Sequence, residues 1–114
     1  MFILNQYNEY ETEINGIRFV CEAVADGLEE TAAAIADIYQ SKLIDIANYM
    51  LANGLSDVFG VLFPEQVIAS LGKATVDLDR CLLSYLEQTL DDTHIIEVEY
   101  GGLLDEFFYF TLDG

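Results

Sequence analysis

Polar and apolar positions alternate with a period of two from Glu9 to Ala23, the spacing of a half-buried strand. Tyr10, Thr12 and Ile14 share one side and Glu9, Glu11 and Glu13 the other. After Asn15-Gly16 the alternation resumes, with Ile17, Phe19, Cys21 and Ala23 set against Arg18, Val20 and Glu22. Asn-Gly between two alternating runs signals a tight hairpin, because a type I′ turn needs positive φ at both central residues. A two-residue turn places Glu13 opposite Arg18, a favourable cross-strand pair, and farther out sets Glu9 against Glu22, an unfavourable one.

Asp26-Gly27 ends that run, and from Glu29 to Asn53 the period becomes helical. Leu28, Ala32, Ile35, Tyr39, Leu43, Ile46 and Met50 form one stripe, with Glu30, Asp37, Ser41, Asp45 and Asn48 opposite. Glu29 and Glu30 suit the positive end of the helix dipole, and Gly54 is placed to close the helix. Residues 55–63 are apolar and irregular, with one short turn at Ser56. Pro64 then opens a brief helix to Leu71, stopped by Gly72.

The remainder reads as a three-stranded antiparallel meander. Ala74–Asp79 leads into Arg80–Thr89, Leu90–Thr93 turns, and His94–Tyr100 and Glu106–Leu112 follow, separated by Gly101-Gly102. Ile96, Val98, Phe108 and Phe110 are expected beneath the long helix, with Glu97, Glu99, Phe107 and Tyr109 on the other side. The expected fold class is α+β, one domain over residues 1–114. Its hairpin, long amphipathic helix, short helix and meander form one mostly antiparallel sheet packed on the long helix.

Charge changes this picture most. The 114 residues carry 21 acidic against 4 basic side chains, a formal net charge of −17. Such a field repels nucleic-acid phosphates and anionic membranes and speeds encounter with a basic protein. It also serves plain solubility. Hydrophobic residues make up 53%, so the chain folds in spite of its charge. Met-Phe-Ile-Leu-Asn-Gln lacks a basic leader region, and no apolar stretch reaches membrane-spanning length, so a cytoplasmic protein is expected.

Chemistry is sparse. Cys21 and Cys81 form no CxxC pair, and they read as isolated thiols in a reducing compartment. His94 is the one histidine, behind Asp91 and Asp92, which read first as a turn. Asp91, Asp92 and His94 are also a metal-site candidate, with Asp77 or Asp79 of the neighbouring strand as a further ligand, and three converging ligands would be needed. Asp77-Leu-Asp79 lacks the later ligands of a calcium loop, and no phosphate-cradling glycine motif occurs. No cofactor and no enzymatic role are expected.

Two stretches carry a resemblance: Thr-His-Ile-Ile-Glu-Val-Glu-Tyr at 93–100 and Asp-Glu-Phe-Phe-Tyr-Phe-Thr-Leu-Asp-Gly at 105–114. In size, charge, α+β build and aromatic C-terminal strand the chain resembles small acidic bacterial proteins of unknown function, a pool that includes immunity proteins of polymorphic toxin systems. The resemblance implies a one-to-one inhibitor that covers a toxin's active site, often that of a basic nuclease. It assigns no residue.

The expected function is therefore an acidic protein-binding module for a basic partner, with Tyr7, Tyr10, Glu97, Glu99, Phe107 and Tyr109 as contact residues. Two alternatives stand beside it. One is a homodimeric structural or regulatory domain that buries Phe107, Tyr109 or the 55–63 segment between copies. The other is a small metal-dependent enzyme centred on His94.

Overall fold

Seven strands form one sheet in chain order, each hydrogen-bonded to the next, in a computed structural model that describes residues 1–113. The strands are β1 (Ile3–Leu4), β2 (Tyr10–Ile14), β3 (Ile17–Cys21), β4 (Ala74–Asp77), β5 (Leu82–Tyr85), β6 (Ile95–Gly101) and β7 (Glu106–Asp113). All neighbours are antiparallel except β3 and β4. That parallel step requires a long crossover, and the helices supply it: α1 (Leu28–Met50), α2 (Ser56–Phe59) and α3 (Pro64–Leu71).

The hairpin forms at Asn15-Gly16, with both residues at positive φ (52° and 80°), and Glu13 lies opposite Arg18. Pairing stops at Tyr10 and Cys21, so Glu9 and Glu22 never oppose each other in the ladder. The backbone N–H of Glu22 instead donates to Asp79 Oδ2 at 2.7 Å.

The helical stripe behaves as its spacing demands. Ala32, Ile35, Tyr39, Ile46 and Met50 are buried, while Glu30, Asp37, Ser41, Asp45 and Asn48 are exposed. α1 runs into a wide π-type turn at Leu51–Leu55, which bends where Gly54 takes φ 131°, and α2 begins at Ser56. α3 spans Pro64–Leu71, and the Gln66 side chain accepts the Phe63 backbone N–H at 2.8 Å to secure its start.

Where a three-stranded C-terminal meander was expected, the structure has four strands there and seven in all. The stretch from 74 to 89 is two strands, turning at 78–81 without glycine, proline or asparagine to mark it. Asp77 makes that turn by accepting the N–H groups of Asp79 (3.0 Å) and Arg80 (3.2 Å), and Cys81 adopts φ 52°. β4 thereby becomes a separate strand and pairs with β3.

One face of the sheet receives the helices. Across it run Phe19, Val76, Leu83, Val98 and Phe110 in register, and Ala74, Tyr85, Ile96 and Leu112 beside them. They join the α1 stripe and Leu55, Val67 and Leu71 in one core. The hydroxyls of Tyr39 and Tyr85 meet at 2.6 Å within it and tie helix to sheet. No single helix is long and apolar enough to cross a membrane among the described residues.

Candidate partner-binding face

The other face of the sheet carries no helix, and strand parity decides what lines it. Residues opposite one another in the ladder share a face. Glu11, Val20, Asp77, Leu82, Glu99 and Tyr109 therefore make one row across six strands. Glu13, Arg18, Thr75, Ser84, Glu97 and Thr111 make the next. The open face is thus polar, with carboxylates at both ends.

The two ends differ in how those carboxylates are neutralised. On the β2–β5 side each has a cation. Arg18 Nε lies 2.7 Å from Glu11 Oε2, Lys73 pairs with Glu13, and Arg80 Nε lies 3.8 Å from Asp77 Oδ2. Arg18, with Asn5 on its other side, holds the Glu11 carboxyl below its ordinary value. On the β6–β7 side, Glu97, Glu99 and Asp113 have no ion-pair partner among the described residues. Partial burial raises the Glu97 carboxyl and the neighbouring Asp113 carboxylate raises it further, against the Ser84 hydroxyl, 3.5 Å from Glu97 Oε2, and the more distant charge of Arg80.

Of the six expected contact residues, three meet here. Glu97, Glu99 and Tyr109 lie on adjacent strands of the open face, and Tyr109 is 61% exposed. Tyr7 is exposed but lies in the turn before β2, at the far edge of the sheet. Tyr10 and Phe107 are half-buried and lie on the helix-bearing face instead. Tyr10 is opposite Cys21 and packs against the core, and Phe107 lies against Tyr49 of α1 with ring centroids 5.5 Å apart.

A β-bulge explains Phe107. Glu99 opposes Tyr109 but Tyr100 opposes Phe107, so Phe108 is the extra residue and parity reverses at that point. Phe108, expected beneath the helix, is instead 56% exposed. Its ring lies over bare Gly101, where a Cβ would meet Phe108 Cε2 at 2.8 Å. Asp113 was not among the expected contacts, although its parity with Tyr109 and Thr111 places it on the open face.

His94 and Asp91 do come together, as a closed turn. Asp91 Oδ2 lies 2.5 Å from His94 Nδ1, and Oδ1 accepts from Gln88 Nε2 (2.9 Å) and from the backbone N–H groups of Thr93 (3.2 Å) and His94 (3.1 Å). Burial alone would raise the Asp91 carboxyl, but these bonds outweigh it and hold the group well below the usual carboxylate range. The His94 ring meets Phe59 edge-on, centroids 6.4 Å apart. Asp92 is exposed and makes no bond to either group. Among the described residues, no three His, Cys, Asp or Glu side chains are grouped to hold a metal ion, and no concave pocket forms.

The thiols are separate and free. Cys21 is buried and Cys81 exposed, and burial, with Asp79 and Asp77 nearby, raises the Cys21 thiol above its ordinary value. Comparison of the chain with protein-family models, with curated proteins and with solved structures gives no match in any of the three.

Proposed function

We propose that this protein is an acidic binding module that engages a basic protein partner through the open face of its sheet. Its most concrete form is an immunity-type inhibitor that covers the working surface of a basic enzyme such as a nuclease toxin. The observation that carries the reading is the uneven neutralisation of that face. Three of the four basic side chains sit on its β2–β5 side, leaving Glu97, Glu99 and Asp113 without an ion-pair partner among the described residues, beside exposed Tyr109. Unpaired carboxylates around an aromatic side chain suit arginine and lysine, which bond the carboxylates and stack on the ring. The net charge of −17 adds long-range attraction that brings such a partner in.

The reading is tested by immobilising the protein at low ionic strength, exposing it to extract of its own cells, and eluting with salt. One basic protein is expected to be retained and released together with the screening of the charges. That protein's own activity is expected to fall when an equimolar amount of the free module is added. The triple variant Glu97→Gln, Glu99→Gln, Asp113→Asn is expected to bind it about tenfold more weakly, at somewhat under 1 kcal/mol for each exposed pair. Retention of a broad set of basic proteins, unchanged by the variant, would reduce the acidity to solvation.

A further inference from the structure

The two edges of the sheet are unlike. β1 presents only Ile3–Leu4, a length too short to template another strand. β7 runs for eight residues and, among the described residues, pairs on one side only, with β6. About half of its backbone N–H and C=O groups therefore turn outward, as in any antiparallel edge. Among the described residues, none of them bonds to a loop or side chain. Nor does β7 contain proline or lysine, the usual guards of an exposed edge. Its guards are the bulge at Phe108 and the carboxylates of Glu106 and Asp113 at its ends, which deter an acidic strand but not a basic one, and beyond the bulge Tyr109–Asp113 pairs with β6 residue by residue without interruption.

We propose that β7 accepts an extended basic segment of the partner as an eighth strand, over Tyr109–Asp113. The proposal rests on the acidic-module reading above and names how that partner is held. Charge complementarity selects the occupant. An incoming strand sends alternate side chains to the open face, beside Tyr109, Thr111 and Asp113. A lysine or arginine there lies about 5 Å from the β7 backbone and reaches toward Glu97 and Glu99, one strand further in. The intervening residues fall beside half-buried Phe110 and Leu112, so apolar residues suit them. The segment recognised thus alternates basic and apolar residues. Backbone bonds supply affinity and the alternating side chains supply choice. A second copy of this chain is disfavoured at the same edge, because it would bring Glu97, Glu99 and Asp113 against like charge and pair two molecules of net charge −17.

The test uses the whole protein and a synthetic octapeptide of alternating lysine and valine, with the same peptide N-methylated on its pairing edge as control. The unmodified peptide is expected to shift the backbone amide resonances of Tyr109–Asp113 and to slow exchange of those amides that face outward. The methylated peptide, equal in charge, is expected to bind at least about tenfold more weakly, since each lost hydrogen bond is worth about 1 kcal/mol. Equal, salt-sensitive binding of both peptides would overturn the edge pairing and leave the acidic-module reading intact. Slow exchange of the outward amides in the free protein, with a dimer in sedimentation, would assign the edge to a second copy and overturn the proposal. Binding of neither peptide would also overturn it, and the capture experiment above then decides the module reading on its own.

Discussion

Tyr39 and Tyr85 each bring a hydroxyl into the core, and the two hydroxyls satisfy each other. Burial pushes the Tyr39 phenol up to about 12, and burial and the neighbouring Tyr39 push Tyr85 well above the ordinary tyrosine value. Tyr39→Phe leaves the Tyr85 hydroxyl buried without a partner, at a cost of about 1–3 kcal/mol. The double variant Tyr39→Phe, Tyr85→Phe is expected to cost less than the two single changes together, measured by urea unfolding. A tyrosine whose folded pKa is raised gives up stability as pH climbs past its unfolded value. The contribution of this tyrosine pair is therefore expected to be flat below about pH 10 and to fall above it, so that stability drops more steeply there in the native chain than in the double variant. Asp91 shows the opposite sign. Its lowered carboxyl holds the turn while ionised and releases it as pH falls into and below the ordinary aspartate range. Asp91→Asn is expected to speed amide exchange at Thr93 and His94 and to leave the distant β2–β3 hairpin unaltered.

Elements form here where local signals agree with the register of the sheet. Pro64 and Gly72 delimit α3 from sequence alone, and the helix spans Pro64–Leu71. Gly72 also answers to tertiary structure. It sits at φ 71°, and a Cβ there would lie 2.9 Å from the backbone oxygen of Glu87. Gly72→Ala is expected to destabilise the protein by about 1–3 kcal/mol, read as a lower urea midpoint with an unchanged slope, because backbone rather than a flexible side chain would have to yield. The β4–β5 turn was illegible for the converse reason. Its turn-maker is a single Asp77 side chain, and aspartate is common enough in this chain to carry no signal.

The whole molecule carries −17 on an envelope of 42 × 28 × 22 Å. Self-repulsion at this density opposes the compact state. Raising sodium chloride from about 20 mM to about 500 mM shortens the screening length from roughly 20 Å to under about 5 Å. The melting temperature is expected to rise over that range, followed by circular dichroism, whereas a charge-balanced domain would lose its few ion pairs and gain nothing. The acidity is spread unevenly. Exposed Glu30, Asp37, Asp45, Asp57 and Glu65 lie on the helical side, where Lys42 is the one lysine or arginine among the described residues. The sheet's open face is partly neutralised, and the unpaired carboxylates at β6–β7 stand out against it.

Periodicity in the sequence determined the hairpin and its Glu13–Arg18 register, the buried stripe of α1, the bounds of α3 and the acidic parity of Glu97 and Glu99. Each is a local consequence of side-chain spacing, turn chemistry or capping. Tertiary structure alone decided that β3 and β4 lie side by side in parallel, since strand partners far apart in the chain leave no local mark. It decided that a bulge at Phe108 turns Phe107 inward, because one unpaired residue reverses every side chain between it and the end of the strand. It also decided where the few cations go. Arg18 comes from β3 while Lys73 and Arg80 flank β4, and only the assembled sheet brings the two segments together on one side and leaves the β7 edge negative and open.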